Sequence, residues 1–281
     1  MADKINTIGI IAAAGNLPVL LAEALHKRGK LALVVALTDI ADHPFPKDIA
    51  VHTMAAGAIG EIVALLKTQG CQEVLFSGQL PRLALSALPP GAMDAMTKGV
   101  AKQAFVASDN DALEMVAQVF AQHGLPMADL RSLVPEMFAP LGCIAGKPLD
   151  ALSAGEQMAV SQGLAVLQQL GGCDVGQAVV AQERRVLAIE AAEGTDNMLG
   201  RVYGLVDTSL TPPVLVKAPK SAQNRKLDPP VVGTHTIDKA KSAGIGTIVV
   251  EAGGVIIADK EASIKAAQQH QVSLIGVETG G

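Results

Sequence analysis

The chain has 281 residues, of which 49% are hydrophobic and 17% charged, with a formal net charge of −5. That apolar content excludes a disordered chain and suffices for one large domain or two of ordinary size. The acidic balance and the scarcity of aromatics (no Trp, one Tyr, five Phe) exclude a generally nucleic-acid-binding surface and a reader that stacks single-stranded bases.

Alternating strands and helices follow from the N-terminus. Ile5–Ala13 is an unbroken apolar run, as expected of a strand buried on both faces. Leu17–Arg28 reads as a helix, with Asn16 as its cap and Pro18 in its first turn. Leu31–Leu37 is a second buried strand, Ala58–Gln69 a helix stopped by Gly70, and Glu73–Ser77 a third strand ending in Gly78. Helices are expected over Ala92–Val106 and Asp109–His123. The order implies a parallel sheet with flanking helices, a Rossmann-like arrangement, over residues 1–133. Residues 134–152, with Pro135, Pro140, Pro148, Gly142 and Gly146, read as a linker.

A second α/β domain is expected over residues 153–281. It has helices at Ala154–Leu170, near Thr195, at Ile237–Ala243 and at Lys260–Gln269. Its strands are Gln177–Ala181, Val186–Glu190, Val214–Lys217, Thr247–Glu251 and Val272–Val277. The fold class is therefore α/β, with two domains. No apolar run approaches the length of a membrane span, and Gly15, Asn16 and Pro18 interrupt the N-terminal run too early for a signal peptide, so a soluble protein is expected. Cys71, Cys143 and Cys173 form no CxxC pair and no even-numbered framework; buried thiols in a reducing cytoplasm are expected.

The densest chemistry lies in VLVKAPKSAQNRKLDPPVVGTHTI, Val214 to Ile237. Cations at the end of a strand suit a phosphate-rich ligand, because charge-assisted bonds to phosphate oxygens are the strong ones. Asp228 stands alone among them, and a carboxylate there can hold a metal or orient a water. A solvated basic loop would look the same. Other candidates sit in turns that follow strands. GIIAAAGNLP (Gly9–Pro18) forms a small-residue turn that lets backbone N–H groups approach a phosphate or sugar, although it lacks GxGxxG spacing. FSGQLPR offers Ser77, Gln79 and Arg82. In SDNDAL, Asp109 and Asp111 open a helix, where they would serve its dipole or ligate Mg²⁺. In EAAEGTDNMLGR, Glu190, Glu193, Thr195 and Asp196 converge on a helix start, with Thr195 as a candidate cap.

Taken in order, these segments resemble the LpxI-type UDP-2,3-diacylglucosamine pyrophosphatases of Gram-negative bacteria. The resemblance runs through GIIAAAGNLP, FSGQLPR, SDNDALEMV, DVGQAVV, LAIEAAEGTDNML, KAPKSAQNRKLDPPVVGTHTI and IVVEAGGVII, over almost the entire chain. Its most specific parts are EGTD and K-A-P-K-x-x-Q-x-x-(R/K)-x-D-x-P-x-x-G. The resemblance implies hydrolysis of UDP-2,3-diacylglucosamine to 2,3-diacylglucosamine 1-phosphate (lipid X) and UMP. That is a step of lipid A synthesis at the cytoplasmic face of the inner membrane, with Mg²⁺ as cofactor and Mn²⁺ as an alternative. It also implies two α/β domains with the substrate in the cleft between them. Peripheral membrane contact and a homodimer are compatible with it.

Residue by residue, the resemblance makes Asp228 the essential aspartate and a metal ligand or water-orienting group, with Lys220 and Gln223 beside it in catalysis. Lys217, Lys220 and Gln223 face the diphosphate, and Lys226 is a further substrate contact. Gly15, Asn16 and Pro18 contact uridine or sugar, and Gln79, Arg82 and Thr195 complete the substrate contacts. Glu193, Asp196 and Asp111 are further metal candidates. This chain departs from the family pattern with Lys226 for Arg, Ser221 for Pro and Asp109-Asn110 for Gly-Asp. Lys in place of Arg turns a bidentate phosphate contact into a point charge. The alternatives are a non-catalytic nucleotide-sugar or lipid-binding protein of the same fold and an NAD(P)-dependent oxidoreductase. The missing GxGxxG opposes the latter.

Overall fold

A computed structural model describes residues 7–38, 40–79, 90–104, 109–173, 175–220 and 229–279. The chain divides into two compact α/β units, with the boundary between Val134 and Pro135. Unit 1 is built on β1 (Ile8–Ala12), β2 (Leu31–Leu37), β3 (Val51–Met54) and β4 (Glu73–Ser77), all parallel, in the order β3-β2-β1-β4. Every residue of β1 is buried, because helices cover both faces of the sheet. On one face lies α1 (Leu17–Lys27), which buries Leu21 and Leu25. On the other, Ile59, Ile62, Val63 and Leu66 of α2 (Ile59–Thr68) join a core with Ile11, Leu33, Val35 and Val74. Val100 of α3 (Ala95–Ala104) and Phe120 of α4 (Asp109–Gln122) extend that core, and Phe120 meets Phe76 edge to face. A short α5 (Leu130–Leu133), capped by Asp129, closes the unit.

Unit 2 carries a six-stranded mixed sheet made of β5 (Gly142–Ala145), β6 (Ala178–Gln182), β7 (Arg185–Ile189), β8 (Val214–Lys217), β10 (Thr247–Glu251) and β12 (Ser273–Val277). Their order is β5-β12-β10-β8-β6-β7. β8, β10 and β12 are parallel, while β5 and β6 run against them. β6 and β7 pair antiparallel, so β7 points the same way as β8. A separate two-stranded parallel sheet joins β9 (Val231–Val232) to β11 (Ile256–Ile257).

One face of the large sheet is covered by α6 (Ala154–Leu170), which starts in a full capping box. Ser153 Oγ accepts from the Glu156 amide at 3.3 Å and Ser153 N donates to Glu156 Oε2 at 3.0 Å. Glu156 is itself buried, and Thr247 Oγ1 donates to its other oxygen at 3.2 Å. The other face packs against α7 (Gly194–Val202), α8 (Thr234–Ser242) and α9 (Lys260–His270) through Met198, Leu199, Ile237, Ala240 and Ala267.

Several expectations need correction. The stretch read as a linker, 134–152, supplies the antiparallel edge strand β5 to the second sheet. Its prolines flank the strand, where a missing ladder donor costs nothing. Asn16 adopts helical angles (φ −80°, ψ −16°) and makes no side-chain cap. Thr195 lies inside α7, whose cap position is Glu193, and its hydroxyl points elsewhere. Of the three thiols only Cys71 is buried; Cys143 and Cys173 are exposed.

Candidate functional site

Parallel strands end along one edge of each sheet, which is where open α/β sheets take ligands. In unit 2 that edge gathers buried polar side chains. Lys217, the last residue of β8, is 5% exposed, and Glu190, directly after β7, is 7% exposed. The two are joined through Thr195 of α7. Lys217 Nζ donates to Thr195 Oγ1 at 3.0 Å, and the Thr195 hydroxyl donates to Glu190 Oε1 at 2.8 Å. The Gln177 amide holds Glu190 Oε2 at 2.9 Å. Lys217 Nζ also donates to the Val231 carbonyl at 3.0 Å, tying β8 to β9. Burying an ammonium and a carboxyl is tolerable because each is hydrogen-bonded through the hydroxyl between them. On the neighbouring strand, Glu251 is buried at the end of β10 and accepts from the Thr279 hydroxyl.

Two of the candidate metal ligands, Glu193 and Asp196, have basic residues beside them. Arg201 holds Glu193 Oε1 at 2.7 Å and also donates to the Ile189 carbonyl at 2.8 Å. The Arg201 hydrogen bond keeps the Glu193 carboxyl below the usual carboxylate range. Asp196 Oδ2 lies 3.2 Å from His235 Nε2, both on the surface. Among the described residues no three His, Cys, Asp or Glu side chains come together as a metal cage. Mg²⁺ at a phosphate site commonly takes one or two protein carboxylates, with phosphate oxygens and waters completing its shell. Glu193 and Asp196, on consecutive turns at the start of α7, suit an ion carried by a diphosphate better than a resident one.

In unit 1 the corresponding edge is built around the turn after β1. Gly15 has φ +96°, a left-handed value that glycine adopts without strain. The turn is clasped to the end of β4: Ala13 N donates to Ser77 O at 2.8 Å, Gln79 N to Ala14 O at 2.8 Å and Ala14 N to Gln79 O at 3.2 Å. Gly78 permits this contact, since a Cβ there would stand 2.6 Å from the Ala14 carbonyl oxygen. Ser77 Oγ, buried beneath the clasp, has no hydrogen-bond partner among the described residues. The Gly15 amide donates to Asp42 Oδ1 at 2.7 Å, and His43 Nδ1 lies 2.8 Å from the same oxygen.

The sequence candidates thus fall into groups. Lys217 and Thr195 come together with Glu190. Gly15 and Gln79 share a backbone clasp through Ala14, with Asn16 exposed beside it and Pro18 buried in the first turn of α1. Lys220 is half-buried. Asp228, Gln223, Lys226 and Arg82 lie outside the described residues, as does the side chain of Asp111 in α4. Sequence reasoning missed Asp42, His43 and Glu251. An acid closing an apolar run marks Glu251, and an acid in the loop after the second strand marks Asp42.

These features define a two-unit α/β protein whose second unit places a buried, hydrogen-bonded lysine at the ligand-binding edge of its sheet, a site suited to an anionic substrate. The LpxI N-terminal domain model matches residues 7–137, and the LpxI C-terminal domain model matches residues 142–275. The chain is 35% identical over 280 residues to a UDP-2,3-diacylglucosamine pyrophosphatase LpxI of Caulobacter vibrioides, covering 96% of this chain and 97% of that protein. It belongs to the LpxI family. Among solved structures, a GalE-like L-threonine dehydrogenase from Cupriavidus necator in its holo form is 18% identical, covering 50% of this chain and 42% of that one, with a TM-score of 0.27. A partial-consensus L-threonine 3-dehydrogenase is 20% identical over the same shares, with a TM-score of 0.25. Likenesses this slight carry no weight for fold or function. Among the described residues no helix is long and apolar enough to cross a membrane.

Proposed function

We propose that the protein hydrolyses the pyrophosphate bond of UDP-2,3-diacylglucosamine, releasing UMP and 2,3-diacylglucosamine 1-phosphate, in lipid A synthesis. Family membership over nearly the full length supports the reaction. Within the molecule, the observation that carries it is Lys217, a buried ammonium fixed at the end of β8 by Thr195 and the Val231 carbonyl. A cation held in place before the substrate arrives needs no reorganisation when charge builds on the phosphoryl oxygens, and it acts in a site of low dielectric. In the reaction a water oxygen bonds to one phosphorus as the bridging P–O bond breaks, and the bridging oxygen leaves on the other phosphate.

Within this scheme Lys217 neutralises the diphosphate, and Glu190 fixes the Thr195 hydroxyl so that it accepts from Lys217. Asp228 orients the attacking water or binds the metal, a role that rests on its place in the K-x-D-x-P match. Lys220, Gln223 and Lys226 share the same segment and meet the phosphates. Mg²⁺, when bound, supplies Lewis-acid charge on the diphosphate oxygens; Asp228, Glu193 and Asp196 are the residues that would hold it. A diacylated substrate brings the protein to the cytoplasmic face of the membrane.

The test is UMP release from UDP-2,3-diacylglucosamine by the wild type and Asp228→Ala, each with Mg²⁺ and with EDTA. Metal-dependent release by the wild type alone supports the assignment. No release by the wild type under any condition, with the lipid still bound, makes it a binding protein. Release that is indifferent to EDTA removes the metal from the scheme.

A further inference from the structure

Residues 203–210, between α7 and β8, leave three large apolar side chains in water. Tyr203 is 72% exposed, Leu205 40% and Leu210 42%. Single exposed leucines are ordinary, whereas apolar side chains gathered at one place mark an interaction surface. Tyr203 is moreover the chain's one tyrosine, in a sequence without tryptophan. The segment is held by its neighbours. Gln182 Nε2 donates to the Asp207 carbonyl at 2.8 Å and to the Thr211 carbonyl at 2.9 Å, which seats it against the β6–β7 hairpin. Val206 lies against Gly244, just past α8, where an added Cβ would meet it at 3.9 Å.

The same neighbours bring positive charge. Arg184 and Arg185 at the hairpin turn, and Lys239 and Lys241 in the last turn of α8, are all exposed. The acids nearby are turned to other groups. Asp207 Oδ1 accepts from the Ser209 amide at 2.9 Å and its hydroxyl at 2.6 Å, and Asp238 Oδ1 lies 2.8 Å from His270 Nε2. Glu183 is half-buried beside Gly155 at the start of α6. A chain of net charge −5 thus sets exposed apolar side chains beside cations. A protein partner fits this poorly, because protein interfaces are depleted in lysine. An anionic bilayer fits it. Tyrosine settles at the headgroup level, and lysine and arginine meet lipid phosphates while their stems lie along apolar surface.

We propose that the face made by residues 203–210, the β6–β7 turn and the end of α8 docks unit 2 on a bilayer that contains anionic phospholipid. Tyr203, Leu205 and Leu210 enter the headgroup layer, and the four cations meet the lipid phosphates. This deepens the pyrophosphatase assignment, on which it rests for the lipid substrate that calls for a membrane, by naming the surface that touches it. The face lies where β8 and β10 begin, at the opposite end of those strands from Lys217. Docking there leaves the substrate edge of the sheet uncovered.

Vesicle flotation of the full chain tests it, with substrate-free vesicles of phosphatidylethanolamine and phosphatidylglycerol against vesicles of phosphatidylcholine. The wild type is expected to float with the anionic vesicles and not with the neutral ones. Raising salt from about 0.1 M to about 1 M shortens the screening length from about 10 Å to about 3 Å, and should release it. Because Tyr203 is the chain's one tyrosine, its emission reports this place alone. Phosphatidylglycerol brominated in its acyl chains should quench that emission, which needs no variant. Lys239→Glu with Lys241→Glu is expected to weaken vesicle binding about tenfold or more, and Leu205→Ser with Leu210→Ser to weaken it also. Both pairs should release UMP from detergent-dispersed UDP-2,3-diacylglucosamine at the wild-type rate.

No flotation with anionic vesicles, equal flotation with neutral ones, or Tyr203 emission untouched by brominated lipid overturns the proposal. Flotation only when the vesicles carry UDP-2,3-diacylglucosamine also overturns it, since the substrate site would then be the anchor. A dimer in sedimentation equilibrium that Leu205→Ser with Leu210→Ser dissociates, without vesicle binding, gives the face to a second copy instead. The outcomes separate from those of the hydrolysis assay. Charge-dependent docking by a protein that releases no UMP removes the pyrophosphatase and keeps the surface. Hydrolysis by a protein that floats with no vesicle keeps the pyrophosphatase and removes the surface.

Discussion

Thr195→Val puts the buried network of unit 2 to a direct test. Valine has nearly the shape of threonine but neither accepts nor donates, so the change deletes the bond from Lys217 Nζ and the bond to Glu190 Oε1 together. Both partners are more than nine-tenths buried, so water cannot replace what is lost. A hydrogen bond to a charged group contributes about 1.5–3 kcal/mol. Two such bonds give about 3–6 kcal/mol, from which the added buried methyl returns about 0.8 kcal/mol. The expected destabilisation is therefore about 2–5 kcal/mol.

Urea unfolding measures it, followed by circular dichroism and by the fluorescence of Tyr203, the chain's single tyrosine, which lies in unit 2. Thr195→Ser keeps the hydroxyl and should cost about 1 kcal/mol or less, as a surrendered methyl does. In a Lys217→Met background the cost of Thr195→Val should fall, because one of its two bonds is already gone. A Thr195→Val loss below about 1 kcal/mol, or one no larger than that of Thr195→Ser, would refute the idea that this hydroxyl joins lysine to glutamate.

Three further outcomes follow from other places in the fold. Asp94 precedes α3, where its Oδ1 accepts the Thr97 amide at 2.7 Å and its Oδ2 the Gly60 amide at 2.6 Å. Burial alone would raise its pKa, but the bonds from Thr97 and Gly60 outweigh burial and lower it. A depressed folded-state pKa adds stability that is present above the unfolded value of about 3.9 and is lost as pH falls through the folded value. Asp94→Ala should thus cost about 1 kcal/mol at neutral pH, and the gap from wild type should close in acid melts below about pH 4. Burial pushes the Cys71 thiol up to about 11, whereas Cys143 and Cys173 are exposed. A thiol-disulfide reagent at pH 7.5 should therefore label Cys143 and Cys173 promptly and Cys71 only on unfolding, as mass mapping would show; the pH value is about one unit below an ordinary thiol pKa. Ser77→Ala removes a buried hydroxyl without a partner among the described residues, whose burial costs about 1–3 kcal/mol, so a raised melting temperature is expected.

How far the sequence reveals the structure depends on burial. β1, β2, β8, β10 and β12 appear as unbroken apolar runs because both faces of each are covered for most of their length. β3 escapes notice: Val51-His-Thr-Met is a largely exposed edge strand with polar residues facing water. β5 hides among prolines and glycines for a related reason, since an edge strand needs only one partner. β9 and β11, two residues each, are too short for any period. At the site, Lys217, Glu190 and Thr195 stand out as polar residues closing apolar runs or opening a helix. Which of them touch is invisible, because Thr195 meets Lys217 across 22 residues of chain. The Asp42–Gly15 contact spans 27 residues and involves a backbone amide, so no spacing of side-chain types marks it. The same sequence signal that makes Thr195 resemble a helix cap conceals its use inside the network.

The bond from Lys217 Nζ to the Val231 carbonyl joins residues 14 apart in sequence and so closes a ring at its neck. On either side of Val231 the chain is pinned again, by Ile256 N to Pro230 O at 2.8 Å and by Ala258 N to Val232 O at 2.9 Å. Tethering two ends of a loop shrinks the volume its middle can explore, and the entropy so removed is lost once, at closure, whatever the intervening residues are. One ammonium therefore acts as a noncovalent cross-link as well as a charge. Replacing Lys217 itself would undo the tether and remove the charge at one stroke.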